Sequence, residues 1–318
     1  MFFELAKPQV HFRKKYQKPI VRLRYDVGVK TDYLPAVQSA IEYIESHLSE
    51  DLLSQMIASQ IGFSQYHFHR IFTALVGESV KDYLRKRRLS VAADELRRSN
   101  TAILTIALRC GFDSQEAFTR AFGKVFGTTP GAYRRQGSSG LGTGNFSATN
   151  LWVHHLNRGI DMKPEIVRRS ADLAVGMGDS FVLGATEAIS ELWRRFLPRM
   201  HEISNQKDYQ LGLCMAQHAS IPKEEGNSFI YVAAVAVDSA ETVPKGMVLC
   251  QTAEATYAKF THVGPIAEIK HTVEYIWGTW IPKCGYELLD SPDFELYDKR
   301  FDPATASGEV DIYVPVKT

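Results

Sequence analysis

Two stretches of this 318-residue chain carry the same residues in the same order, which constrains the fold more than any other feature of the sequence. Ile57-Ala58, Gly62-Phe63, Phe68, Arg70, Phe72, Gly77 and Tyr83 form one set; Ile106-Ala107, Gly111-Phe112, Phe118, Arg120, Phe122, Gly127 and Tyr133 form the other. The offset is 49 residues up to the glycine turn and 50 beyond it, so one residue is inserted between. In each copy a short apolar helix carries a small residue, Ala58 or Ala107, that lets a second helix approach. Gly62 or Gly111 ends it, because glycine alone takes a left-handed backbone without steric cost. Ser64 in one copy, and Asp113 or Ser114 in the other, caps the next helix. On that helix Phe68, Phe72 and Leu75, or Phe118, Phe122 and Val125, line one face. The pattern predicts a helix-turn-helix twice over. A helix capped by Asp32, with Val37, Ile41, Ile44 and Leu48 at helical spacing, precedes the pair.

The opposite face of each second helix is polar. Tyr66, Arg70 and Thr73 fall at i, i+4, i+7 with His69 at their edge, and Glu116 and Arg120 match them in the second copy beside Gln115 and Thr119. Arginine donates two hydrogen bonds to a guanine edge, glutamine pairs with adenine and glutamate accepts from cytosine. A solvated face also holds polar residues; the recurrence in both copies favours base contact, most of all for Arg70 and Arg120. The run Lys81, Arg85, Lys86, Arg87 and Arg88 opens a connecting helix, its arginines either paired with Asp82, Asp94 or Glu95 or set on phosphate. Charge agrees with a polyanionic partner. The net charge is only +1, but residues 1–137 hold 21 Lys/Arg against 13 Asp/Glu and the remainder holds 16 against 23.

Residues 32–136 resemble the AraC/XylS family DNA-binding domain, its MarA, SoxS and Rob subgroup most of all. The resemblance rests on Ser64-Gln65-Tyr66-His67-Phe68-His69-Arg70-Ile71-Phe72, on Gly111 to Phe122, and on the closing Gly127-Thr128-Thr129-Pro130-Gly131-Ala132-Tyr133-Arg134. It implies an all-α double helix-turn-helix whose two recognition helices enter adjacent major-groove segments ~34 Å apart. Tyr66 stands where those relatives carry tryptophan, and His69 and Glu116 where they carry glutamine, so a different binding sequence is expected. The resemblance also implies activation through RNA polymerase. Residues 1–31 are a basic extension, either a DNA-contacting arm or a disordered or sheet-adding segment.

Gly137, Ser138, Ser139, Gly140, Gly142, Gly144 and Ser147 give residues 137–150 the composition of a flexible linker. Beyond it the periodicity changes. Phe229 to Val237, Ala253 to Val263 and Glu309 to Val316 read as strands. Trp193 to Pro198 and Trp277 to Pro282, 84 residues apart, share a Trp-x-x-aromatic-aliphatic-Pro pattern. Residues 151–318 are therefore expected to form an α+β domain of two strand-helix-strand-strand repeats. They resemble the GyrI-like effector-binding domain through Tyr257 to Pro265, Phe294-Glu295-Leu296-Tyr297 and Asp311 to Val316. That resemblance implies a groove for a small molecule, often a lipophilic cation, with Glu295 as buried counter-charge. A carboxylate among apolar groups is costly unless paired, and aromatic faces attract a cation by ~0.5–2 kcal/mol each. Trp193, Tyr275, Trp277, Trp280 and Tyr297 are available, though tryptophans on a sheet-packing helix also serve as core. Glu295 is equally a candidate for a surface partner of Lys299 or Arg300.

Other function classes find little support. No His-Glu-x-x-His, phosphate-binding loop or Gly-x-Ser-x-Gly occurs, and Cys110, Cys214, Cys250 and Cys284 are scattered without metal-ligand spacing. No apolar run approaches the ~18 residues of a membrane span. The expectation is a cytoplasmic, cofactor-free, non-enzymatic regulator binding double-stranded DNA, a small-molecule effector and RNA polymerase, without membrane contact. Two alternatives remain for the acidic half: a small-molecule hydrolase using Glu295 with Tyr257 or Tyr297, or a protein-docking module without ligand.

Overall fold

The computed structural model describes residues 33–50, 52–136, 162–182, 186–222 and 228–317. The basic extension, the cap at Asp32 and the Gly/Ser-rich linker lie outside these residues.

Among the described residues, seven helices come first. Helix α1 (Tyr33–Ser46) leads into α2 (Ser54–Gln60) and α3 (Gln65–Val76). Then follow α4 (Val80–Arg98), α5 (Ile103–Arg109), α6 (Gln115–Phe126) and α7 (Pro130–Gln136). The repeat is exact in its hinges. Gly62 and Gly111 take φ of 75° and 76° after α2 and α5. The Ser64 and Ser114 side chains cap α3 and α6 by accepting from the backbone N–H groups of His67 and Ala117. Ser114 rather than Asp113 is thus the cap, and Asp113 is the inserted residue. Each recognition helix has twelve residues and stops at a left-handed glycine, Gly77 or Gly127.

The sheet half contains β1 (Glu165–Arg169), β2 (Leu173–Val182), α8 (Thr186–Phe196), β3 (Gln206–Met215), β4 (Ser228–Val237), β5 (Val248–Gln251) and β6 (Ala255–Pro265). A broken helical run follows: α9 (Ile269–Tyr275), a π-turn over Ile276–Trp280, and α10 (Ile281–Cys284). The chain closes with β7 (Glu287–Leu288), β8 (Asp293–Tyr297), β9 (Phe301–Asp302) and β10 (Ser307–Lys317). All pairings are antiparallel, in the order β1-β6-β10-β8-β3-β4-β2-β5, with β7 and β9 on β10. Two strand-helix-strand-strand units emerge: β2-α8-β3-β4 ordered β3-β4-β2, and β6-α9-β8-β10 ordered β8-β10-β6. They join through β3 and β8. The edge strands cross over: β1 precedes the first unit but pairs with β6 of the second, and β5 precedes the second unit but pairs with β2 of the first.

Every residue of β4 is buried. Ile230, Val232, Ala234 and Ala236 face the inside of the curled sheet with Tyr257, Phe294 and Tyr313. Phe229, Tyr231, Ala233 and Val235 face Leu192 and Phe196 of α8. Burial on both faces explains the continuous apolar run.

The cores do not follow the division read from composition. Phe68, Phe72 and Tyr83 share one cluster with Phe260, Ile276, Trp277, Ile281 and Ile312 from the sheet half. The second helix-turn-helix has its own, built from Leu89, Leu96, Ile106, Phe118 and Phe122. Helix α4 passes from one to the other.

Candidate functional site

In the second helix-turn-helix the polar face of α6 is open to solvent. Phe118 and Phe122 are fully buried against Phe112, Phe126 and Tyr133. That packing turns Gln115, Glu116 and Arg120 outward, all exposed, with Thr119 half-exposed beside them.

The first copy is built alike and surrounded differently. Eight of the twelve residues of α3 are buried, against two of α6. Tyr66 and His69 are each 5% exposed, and Tyr66 packs into a core cluster of the sheet half. The Arg70 guanidinium lies 3.9 Å from the centre of the Trp277 ring and 5.4 Å from that of Tyr66. It donates at 2.7 Å to both carboxylate oxygens of Asp293, and the Tyr66 hydroxyl donates to Asp293 Oδ1 at 2.6 Å. Burial works against the arginine charge, but the Asp293 carboxylate outweighs it and holds the proton more tightly than in an ordinary arginine. His67 stacks on Trp277 at 6.1 Å, and burial pushes its pKa down to about 4. Thr73 Oγ1 is buried without a hydrogen-bond partner among the described residues. Asp293 was not legible as a partner of α3; its only sequence signal is its place two residues before Glu295, which sets both on one face of a strand.

Glu295 sits opposite Gly212 in the β8–β3 register. The hydroxyls of Tyr231 and Tyr297 donate to its Oε2 at 2.7 and 2.8 Å, and Trp193 Nε1 donates to the Tyr231 hydroxyl at 3.0 Å. A Cβ on Gly212 would lie 2.1 Å from the Tyr231 hydroxyl, so only glycine leaves room for this cluster. Both tyrosines are buried while Glu295 keeps partial exposure. Burial raises its pKa above the usual glutamate range, against the lowering effect of the two tyrosine hydrogen bonds. Trp193 meets Tyr297 edge-on at 5.2 Å.

Five of the aromatic candidates thus separate. Trp193 and Tyr297 surround Glu295, and Trp277 lies under Arg70. Trp280 packs on Phe260 and Tyr286, and the Tyr275 hydroxyl donates to the Met162 carbonyl. These contacts of Trp280 and Tyr275 are with residues other than Glu295, Tyr231 and Tyr297. Tyr231, on a strand read only as apolar core, belongs to it. Lys299 is exposed, and Arg300 pairs with Asp298, Glu309 and Asp311 instead of Glu295. Tyr257 packs inside the curled sheet and donates to the Ala253 carbonyl. Among the described residues no cluster of His, Cys, Asp or Glu has metal-site geometry, and no helix is long and apolar enough to cross a membrane.

Residues 57–136 match the helix-turn-helix domain family, and residues 174–316 match the integron-associated effector binding protein family. The regulatory protein SoxS of Salmonella typhimurium is 35% identical over 100 residues, which cover 31% of this chain and 94% of SoxS. The chain belongs to the AraC family of transcriptional regulators. This AraC-type regulator is also similar over most of its length to the transcriptional regulator Rob of Salmonella typhimurium, 27% identical over 295 residues, covering 88% of this chain and 96% of Rob. It is 50% identical over 102 residues to the HTH-type transcriptional regulator YbfP of Bacillus subtilis, where the match covers 32% of this chain and spans only 35% of YbfP. A DNA-binding helix-turn-helix half and an effector-binding half are therefore joined in one AraC-type regulator.

Proposed function

We propose that this regulator activates transcription by reading two adjacent major-groove segments, and that its sheet half senses a lipophilic organic cation. Arg70 and Arg120, with Tyr66, His69, Thr73, Gln115, Glu116 and Thr119 beside them, read base edges. Glu295 is the counter-charge of the effector, walled by Trp193 and Tyr297. The observation that carries the sensor reading is the Glu295 cluster: a partly exposed carboxylate set among buried aromatics, with its charge disfavoured by burial. An organic cation there gains from the carboxylate and the aromatic faces together and relieves the cost of the buried charge. RNA polymerase is the partner through which activation acts, in keeping with the family resemblance.

The test is thermal denaturation of the full chain with a panel of lipophilic cations, alongside Glu295→Gln. A cation at a hundred times its dissociation constant adds ~2.7 kcal/mol of stability. Stabilisation by cations that vanishes in Glu295→Gln supports the reading. Stabilisation that survives the substitution moves the counter-charge elsewhere, and turnover of the ligand instead of simple binding would make the sheet half an enzyme.

A further inference from the structure

The polar face of α3 is claimed twice. Reading DNA requires Tyr66, His69, Arg70 and Thr73 in a major groove, yet in the structure Tyr66 and Arg70 are held by Asp293 and Trp277 of the sheet half while only Phe118 and Phe122 of α6 are buried. What receives Arg70 has the make-up of a cation site. A flat, delocalised charge lies over an indole face with both oxygens of a carboxylate on its edge. That carboxylate, Asp293, shares one face of β8 with Glu295. The docked state leaves the Thr73 hydroxyl buried and unsatisfied among the described residues, a feature native cores avoid. Helix α3 touches the helical run at its π-turn, a local widening that recurs at functional sites. There a Cβ on Gly278 would come within 3.2 Å of the Ala74 carbonyl oxygen.

We propose that Arg70 is a tethered ligand of the effector groove. Asp293 and Trp277 form a second cation subsite beside Glu295, the first recognition helix is its resident occupant, and an organic cation with flat or delocalised charge displaces it and frees α3 for DNA. This rests on the reading of the sheet half as a cation sensor and adds how sensing reaches DNA. Because the two occupants exclude each other, cation and DNA must strengthen each other's binding by the same factor.

A disulfide tests the docked helix directly. The Ala74 Cβ lies 3.5 Å from the place a Gly278 Cβ would take, within the ~3.5–4.5 Å such a bridge needs. The full chain carrying Ala74→Cys and Gly278→Cys is assayed on a duplex selected from a random library by the wild-type chain. The oxidised form is expected to bind that duplex about tenfold more weakly, or worse, than after dithiothreitol, with the wild type indifferent to reductant. Asp293→Asn loosens the dock without any cross-link and is expected to bind the duplex about tenfold more tightly than wild type in the absence of cation. Equal affinity of oxidised and reduced forms, failure of the bridge to form in the folded chain, or no gain in Asp293→Asn overturns the proposal. Tetraphenylphosphonium separates it from the reading beneath it. Binding lost in Glu295→Gln and weakened in the oxidised form supports both. Equal binding to oxidised and reduced forms keeps the sensor and overturns the competition. No binding to any form, Asp293→Asn included, removes the sensor and the competition together, and the bridge then decides for the docked helix alone.

Discussion

Arg70 and Arg120 hold the same station on two helices of equal length, and their surroundings make their substitutions distinguishable. Arg120 is exposed, so Arg120→Ala should cost ~1–3 kcal/mol of DNA binding and change folding stability by no more than ~0.5 kcal/mol. Arg70→Ala strands the buried Asp293 carboxylate, and losing one partner of such a pair costs ~3–5 kcal/mol. Denaturant unfolding of the two variants checks this; equal stability would deny the Arg70–Asp293 contact. His67 supplies a pH signature. Its folded pKa of about 4 lies below its ordinary value of 6.5, so it contributes stability above pH 6.5 that is lost as pH falls through 4. The neighbouring charges of Asp293 and Asp290 oppose this shift, Arg70 reinforces it, and burial dominates. His67→Phe keeps a ring on Trp277 and removes the titration. The difference in unfolding free energy between neutral pH and pH 4 should shrink by up to ~3 kcal/mol. An unchanged difference would place the titration elsewhere.

Among the elements, β3 carries a test of the proposed role of the Glu295 cluster. Gly212→Ala puts a methyl 2.1 Å from the Tyr231 hydroxyl and 2.7 Å from Glu295 Oε2. Displacing them should cost ~1–3 kcal/mol of stability and weaken cation binding, measured by calorimetric titration; full affinity would mean the ligand sits away from Glu295. The helix pairs were legible because their signals are local: a glycine forced to positive φ, a serine cap, phenylalanines four apart. The two strand-helix units were legible through the recurring tryptophan-to-proline pattern and the apolar run of β4. The docking of α3 was not. Tyr66, Arg70 and Thr73 form the same polar stripe whether they face water, bases or a protein surface, and only the fold brings Asp293 to them across 223 residues. The basic run at the head of α4 was illegible for the same reason. Arg87 pairs with Glu45 of α1, Arg88 donates to the Leu48 and Glu50 carbonyls, and Arg85 pairs with Asp82, so only the last of these partners lay near in sequence. Tyr231 was hidden because a hydroxyl within a buried strand looks like core until its neighbour across the sheet is known.

Across the whole molecule the cores divide within α4: Val80, Tyr83 and Leu84 belong with the sheet half, Leu89, Ala93 and Leu96 with the second helix-turn-helix. Hydrogen exchange should therefore show α1–α3 opening together with α9, α10 and β10, and α5–α7 opening separately. Independent opening of α1–α3 in the absence of cation would contradict the shared core. DNA affinity should also fall more steeply with salt once α3 is free, since each added phosphate contact steepens the dependence by about one unit; parallel slopes for wild type and Asp293→Asn would mean that α3 adds no phosphate contacts. The crossing of β1 and β5 reaches furthest. Each structural unit is completed by the strand that leads into the other, so a polypeptide holding one unit has a leading strand with no place on its own sheet. Two separate copies would satisfy each other by trading those strands, as in a swapped homodimer. The present chain holds both units and so places both strands within one molecule, and a cut between β4 and β5 should leave two fragments that reassociate rather than two that fold alone.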